Sequence, residues 1–143
     1  MRLDLPHASC TLSFMMKRLL ALALLTAGLA LAQGPVYELR TYTAPPGKLS
    51  ALLARFKDHT IRIFNRHNMQ SVGYWVPTDA ERKDNTLIYI LKHPSRAEAD
   101  KNWAAFRADP EWVKVAEESQ RDGRIVEKVE SVFMNATAFS MLK

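Results

Sequence analysis

The stretch VYELRTYTAPPGK, residues 36–48, predicts a strand, a tight turn and the start of a helix. Val36 to Thr43 is rich in β-branched and aromatic residues, and its side chains alternate in character as they do along strands. The Pro-Pro-Gly sequence at 45–47 ends the strand. From Leu49 to Phe64 the apolar residues recur with the helical period, so a helix follows the turn.

The residues beyond this helix complete a β-α-β-β-α-β order with one additional short helix. Asn68 is placed to end the first helix as a left-handed cap. The later strands are predicted at Met69–Val76, Thr86–Lys92 and Ile125–Thr137. Ser95 and Glu98 form a capping box for the second helix, and Asp109 before Pro110 starts the short one.

Five short pieces of the chain occur in the order and spacing of the NIPSNAP family. In chain order, they are ELRTYT with PGK at 38–48, Arg66-His67, Gly73-Tyr74-Trp75, Ser95 and DPEW at 109–112. The chain therefore resembles that family over residues 36–139. The resemblance implies an α+β, ferredoxin-like fold that pairs into a dimeric α/β barrel, and it implies no particular biochemical activity.

The first 32 residues have the composition of an export signal. Lys17 and Arg18 precede an uncharged apolar run, Leu19–Leu31, which is too short to cross a bilayer as a helix. The run ends in Ala-Leu-Ala before Gln33, the small-x-small pattern that a signal peptidase cuts. We expect cleavage near Ala32 and a periplasmic or secreted protein with no stable membrane span.

Removal of this leader changes what the composition allows. Cys10 lies inside it, so residues 33–143 contain no cysteine for a disulfide, a thiolate nucleophile or a metal site. They carry seventeen basic and fourteen acidic side chains, and without a basic run or a recognised motif no nucleic-acid partner is predicted. We expect residues 33–143 to form one NIPSNAP-like domain. If translation begins at Met15 or Met16, residues 1–14 are an over-extended gene start.

Both sides of the two middle strands are apolar, which predicts a homodimer. One parity carries Val72, Tyr74, Val76, Leu87, Tyr89 and Leu91, and the other carries Trp75, Ile88 and Ile90. Helices cover only one face of such a sheet, and an exposed apolar face of that size is expected to find a partner. We therefore expect the open sheet faces of two copies to pack together, as in the barrel that the resemblance implies.

Four basic residues on the first helix form a candidate ligand site. Arg55, His59, Arg62 and Arg66 recur at i, i+4, i+7 and i+11, within about 60° of one another on a helical wheel. Guanidinium groups suit carboxylates and phosphates, so the stripe is a candidate for a small anionic ligand. The simpler interpretation is a solvated helix edge, with Arg66 stabilised by the C-terminal helix dipole.

His67 lies on the apolar side of the same wheel and belongs to the Arg-His pair of the family. It is either a haem ligand or base that reaches into a pocket, as in some relatives of the barrel, or a histidine at the core edge. The second arrangement is the more common one, with a hydrogen bond to a backbone carbonyl. Neither His59 nor His93 lies in a recognised metal-binding pattern, so no metal is predicted and haem is the alternative cofactor.

Glu38, Arg40 and Tyr42 lie on one side of the first strand. If that side faces the barrel interior, the three line a cavity walled by aromatic side chains such as Trp75, as in small-molecule pockets. If it faces the helices, Glu38 and Arg40 form an ion pair at the sheet margin. The sequence leaves both orientations open, and for Trp75 core packing is the simpler role.

Two classes of function remain. The first is a homodimeric protein that binds a small anionic or aromatic ligand, or a protein partner, without catalysis. The alternative is a small monooxygenase-type enzyme of the dimeric-barrel group, cofactor-free or haem-dependent. The sequence favours the first class, because it contains the residue types of a catalytic site without showing that they converge.

Overall fold

A four-stranded antiparallel sheet with helices on one face makes up the fold of residues 34–142, which the computed structural model describes. The strands are β1 (Val36–Thr43), β2 (Gln70–Trp75), β3 (Thr86–His93) and β4 (Lys128–Asn135). The helical segments are α1 (Leu49–Arg55), a π-helical segment (Phe56–Thr60), α2 (Ile61–Arg66), α3 (Arg96–Ala108) and α4 (Pro110–Glu118). The expected export signal lies outside the described residues.

The strand order β2-β3-β1-β4 confirms the predicted ferredoxin-like α+β fold. β1 lies between β3 and β4 and pairs with both in antiparallel fashion, from Val36 to Thr43. The last strand is shorter than the predicted Ile125–Thr137, because β4 pairs only with β1 and the eight residues of β1 end that pairing at Lys128 and Asn135. Ile125 instead turns into the core and is buried.

The predicted turns and caps are confirmed. Gly47 has a positive φ of 74° after the two prolines, and Asn68 has the left-handed φ of 55° expected of a helix cap. The Ser95 hydroxyl accepts a hydrogen bond from the backbone N–H of Glu98. The Asp109 carboxylate accepts bonds from the first backbone N–H groups of α4. Each such cap is worth about 1 kcal/mol.

A π-helical turn interrupts the first helix. The backbone N–H of Ile61 reaches back five residues to the carbonyl of Phe56, and the Thr60 hydroxyl donates to the Arg55 carbonyl at 3.2 Å. A π turn holds one more residue than an α turn. The faces of α1 and α2 are therefore offset from the positions that a regular helical wheel predicts.

The core lies between the sheet and the helices and is largely aromatic. Phe56, Phe64 and Tyr89 occupy its centre, with ring centroids 5.1–6.2 Å apart. Phe106 of α3 joins Phe64 at 4.9 Å and Trp112 of α4 at 4.4 Å. Burial of each such ring contributes roughly 1.5–3 kcal/mol, so these contacts fix the helices on this face of the sheet.

The opposite face of the sheet, which we call the open face, carries no helix within the described residues. Trp75 of β2, Ile88 and Ile90 of β3, Leu39 of β1 and Val132 of β4 align across it. Trp75 is 49% exposed and Val132 is 54% exposed. The Trp75 ring lies against Gly73, where a Cβ atom would stand 2.7 Å from the ring. The open face therefore carries a row of apolar side chains that crosses all four strands.

Candidate functional site

A buried carboxylate lies at the centre of the helix-covered face. Glu38 is 1% exposed, and Arg40 Nη1 and the Ser131 hydroxyl donate to its Oε1, each at 2.7 Å. Trp103 Nε1 donates to Oε2 at 2.6 Å, and His93 Nε2 at 3.1 Å. We call these five residues the Glu38 cluster. Three strands and α3 contribute to it, so the cluster joins the sheet to its helical layer.

The Glu38 cluster keeps its carboxylate charged. Burial alone would raise the pKa of Glu38, but the hydrogen bonds from His93, Ser131, Trp103 and Arg40 outweigh it and lower the pKa to about 2. Burial also opposes the charge of Arg40, yet the nearby phenols and Glu38 raise its pKa above the ordinary value. Glu38 and Arg40 therefore form a buried ion pair at neutral pH.

An aromatic wall surrounds the Arg40 guanidinium. Its Cζ lies 4.2 Å from the Trp103 ring centroid and 5.5 Å from that of Tyr42. Burial raises the pKa of Tyr89, whose hydroxyl has no hydrogen-bond partner within residues 34–142. Glu38, Arg40 and Tyr42 thus face the helices, and their ion pair lies on the central strand rather than at the sheet margin.

A second cluster joins the end of α2 to the start of α4. His67 Nε2 lies 2.7 Å from Asp109 Oδ2, and Arg66 Nη1 lies 3.4 Å from the same oxygen. Arg62 and Arg66 both donate to the carboxylate of Glu111. The hydrogen bonds from Arg62 and, to a smaller extent, from Arg66 lower the pKa of Glu111 to about 2. The hydrogen bond to His67 is the largest cause of the lowered pKa of Asp109. These basic groups therefore neutralise carboxylates of the same chain.

This cluster changes one expectation from the sequence. His67 was expected to bond to a backbone carbonyl, but its partner is the side chain of Asp109. That partner lies 42 residues away in sequence and is brought close only by the packing of α4. One ring nitrogen of His67 is occupied by this bond.

Arg55 does not share a face with Arg62 and Arg66, so the prediction of one basic stripe is wrong for this residue. Only 6% of Arg55 is exposed, whereas the side chains of Arg62 and Arg66 are 59% and 46% exposed. The offset at the π-helical segment turns Arg55 inward. Its Cζ lies 5.2 Å from the Trp112 ring, and its Nη1 donates to the Ser119 hydroxyl at 3.4 Å.

The charge of Arg55 is not balanced as that of Arg40 is. No carboxylate of residues 34–142 lies within ion-pair distance of Arg55, and its Nε has no hydrogen-bond partner there. Burial lowers the pKa of Arg55 below its ordinary value, in the opposite direction to Arg40. Arg55 and His59 line one groove between the helices, with a volume of about 360 Å³.

The predicted site residues therefore occupy separate places. Trp75 lies on the open face, far from the polar groups that face the helices. His93 and Ser131 do not stand out in the sequence as site residues, although His93 shares its strand parity with the buried Leu87, Tyr89 and Leu91. That parity groups His93 with these residues, although the sequence does not show which side of the strand is buried.

The described residues contain no group of three or more His, Cys, Asp or Glu side chains close enough to hold a metal ion. Within the same residues, no helix is both long and apolar enough to cross a membrane.

Comparison with known proteins places this fold in context. The family model for NIPSNAP matches residues 37–141. A NIPSNAP family protein with unknown function from Agrobacterium tumefaciens is 28% identical, with a TM-score of 0.67 over 78% of this chain and 96% of that one. A NIPSNAP-like domain protein from Burkholderia xenovorans is 16% identical, with a TM-score of 0.65 over 76% of this chain and 90% of that one. No curated protein sequence matches this chain.

The fold also occurs outside that family. SnoaB, a cofactor-independent oxygenase from Streptomyces nogalater, is 15% identical, with a TM-score of 0.50 over 77% of this chain and 99% of that one. At this identity the likeness concerns the fold alone.

Proposed function

The chain belongs to the NIPSNAP family, and we propose that it is an exported homodimer that binds a small anionic or aromatic ligand rather than an enzyme. In this proposal the two faces of the sheet have separate roles. The open face holds two copies together, and the helix-covered face of each copy holds the ligand.

The observation that carries the ligand-binding role is the set of unpartnered polar atoms on the helix-covered side. Within the described residues, the buried side-chain atoms without a hydrogen-bond partner are Arg40 Nε, Arg55 Nε, Tyr89 Oη, His93 Nδ1 and Asn102 Nδ2. Buried polar groups in folded proteins are almost always hydrogen-bonded, and each unpaired one costs about 1–3 kcal/mol. A bound ligand that pairs with some of these atoms offsets that cost.

The open face supports the dimer. Large exposed apolar side chains occur there and in the last residues of the chain, where Phe139 and Met141 are almost fully in solvent. Apolar patches of this kind mark interaction sites. Two sheets that pack face to face bury the patch and close the barrel that is typical of this fold group.

Two measurements on the purified protein test the proposal. Light scattering is expected to give twice the mass of one chain at micromolar concentration. A thermal-shift panel of small aromatic acids, neutral aromatics and aromatic amines is expected to raise the melting temperature for at least one acid, because a ligand that binds only the folded state stabilises it. A monomer that responds to no compound would refute the proposal.

One observation favours an enzyme as the second candidate. His93 and Trp103 both bond to the same buried carboxylate, and Nδ1 of His93 has no partner in the described part of the chain. An imidazole held by a carboxylate is a common arrangement for a general base. Oxygen uptake with a panel of electron-rich phenols would support this candidate, and we expect none.

A further inference from the structure

We infer that the groove beside Arg55 is a binding site for a small monocarboxylic acid, whose carboxylate pairs with the Arg55 guanidinium. This inference rests on the ligand-binding role proposed above, for which it names a site and a class of ligand. It is independent of the dimer.

Arg55 carries a buried positive charge that has no carboxylate partner within residues 34–142. Its guanidinium is buried and rests on the Trp112 ring, yet among residues 34–142 only the Ser119 hydroxyl accepts a hydrogen bond from it. Buried charges in proteins are normally paired. The same molecule provides the comparison, because Arg40, which also faces inward, has the carboxylate of Glu38 at 2.7 Å. Arg55 therefore has a place for an anion that Arg40 does not have.

The groove has room for that anion. It lies where the π-helical segment packs against α4, and its volume is about 360 Å³, within the range of small-molecule sites. The small side chains of Ala51 and Ala54 line one wall of the groove, and Val115 forms an apolar part of the other wall. Since α4 and the π-helical segment lie on the helix-covered side, a dimer formed through the open face leaves the groove accessible.

The lining of the groove selects the charge of the ligand. Guanidinium groups pair with both carboxylates and phosphates, but Asp58 and Glu118 also line this groove. A doubly charged phosphate would meet two carboxylates against one arginine, whereas a monocarboxylate carries a single charge. The apolar side chains favour a carboxylate with an apolar body, for which benzoate is a suitable probe.

Calorimetric titration of the purified protein with benzoate, benzamide and inorganic phosphate tests this assignment. The matched variants are Arg55→Met and Arg62→Met, which remove one buried arginine of α1 and one exposed arginine of α2. We expect the unmodified protein and Arg62→Met to bind benzoate in preference to both other probes. We expect Arg55→Met to bind benzoate at least roughly tenfold more weakly, because the variant lacks the charged hydrogen bond to the carboxylate.

The melting temperature separates a binding role from a structural one. Without ligand, the Arg55 charge is uncompensated, so Arg55→Met is expected to melt no lower than the unmodified protein. A lower melting temperature for Arg55→Met, with no benzoate affinity in any protein, would overturn the inference. Benzoate affinity that survives in Arg55→Met, or phosphate affinity equal to that of benzoate, would also overturn it. If the thermal-shift panel responds only to neutral or cationic compounds, the ligand-binding role stands and this inference fails.

Discussion

His67 and Asp109 meet across 42 residues of sequence, with the imidazole Nε2 2.7 Å from the carboxylate Oδ2. The same carboxylate caps α4 through the backbone N–H groups of Glu111 and Trp112. One side chain therefore holds the start of α4 in shape and ties it to the end of α2. The Arg-His and DPEW pieces, which the sequence presents separately, form one contact.

Replacement of His67 by Ala tests whether this contact is structural. Because Asp109 loses its imidazole partner, we expect the free energy of unfolding to fall by about 1–3 kcal/mol. Affinity for any small acid should be unchanged. Asn65→Ala, an exposed change on α2 outside the proposed groove, is the control, and denaturant unfolding measures both. Lost ligand affinity with an unchanged melting temperature would instead place His67 in a ligand site.

The Glu38 cluster predicts a loss of stability in acid. The folded-state pKa of about 2 lies below the ordinary value of 4.5, so the contribution of Glu38 is present above pH 4.5 and is lost as the pH falls toward 2. That difference corresponds to about 3 kcal/mol. Glu38→Gln is therefore expected to be less stable at pH 7 and to lose less stability between pH 4.5 and 2. The exposed Glu117→Gln, on α4 and away from the open face, is the control and should follow the unmodified protein. Identical acid unfolding of Glu38→Gln and the unmodified protein would contradict this account.

A matched pair of valines tests the dimer. Val132 on the open face is 54% exposed and Val113 on α4 is 52% exposed. In a single chain, a glutamate at either position would therefore have a similar exposure to solvent. Val132→Glu places a charge in the proposed interface, and we expect light scattering to show monomers. Val113→Glu should remain dimeric. Two dimeric variants would exclude the open face as the interface.

Export is tested by the mass of the protein isolated from its native cells. Cleavage after Ala32 gives a chain that begins at Gln33, and intact mass spectrometry distinguishes it from every uncleaved form. We expect that shorter chain outside the cytoplasm. Recovery of a chain that still begins at Met16 would show that the leader is not removed.

The elements of the fold were predictable because their signals are local. Strand alternation, the proline and glycine turn, Asn68, Ser95 and Asp109 each act within a few residues, and the structure has each as predicted. The side of the sheet that Glu38 occupies was not predictable. Strands with apolar residues on both sides give no alternation from which the buried face can be identified.

The candidate site was less predictable because its contacts cross the chain. Glu38 meets His93 over 55 residues and Ser131 over 93 residues. Arg55 was misplaced for a different reason, since a helical wheel assumes a constant angle per residue and the π-helical segment departs from it. Within β2, a register shift at Val72 has a similar effect and brings Ser71 and Tyr74 to the same side, 2.6 Å apart.

The π-helical segment makes the environment of Arg55 depend on the length of the chain rather than on its composition. Each residue advances an α-helix by about 100°, so a deletion of one residue from Phe56–Thr60 would turn α1 by that angle relative to α2. With α2 held on the core, Arg55 would then align with Arg62 and Arg66 in solvent. A one-codon deletion in the gene would thus move a buried charge to the surface, and it would turn the buried Leu52 of the same helix away from its present contacts.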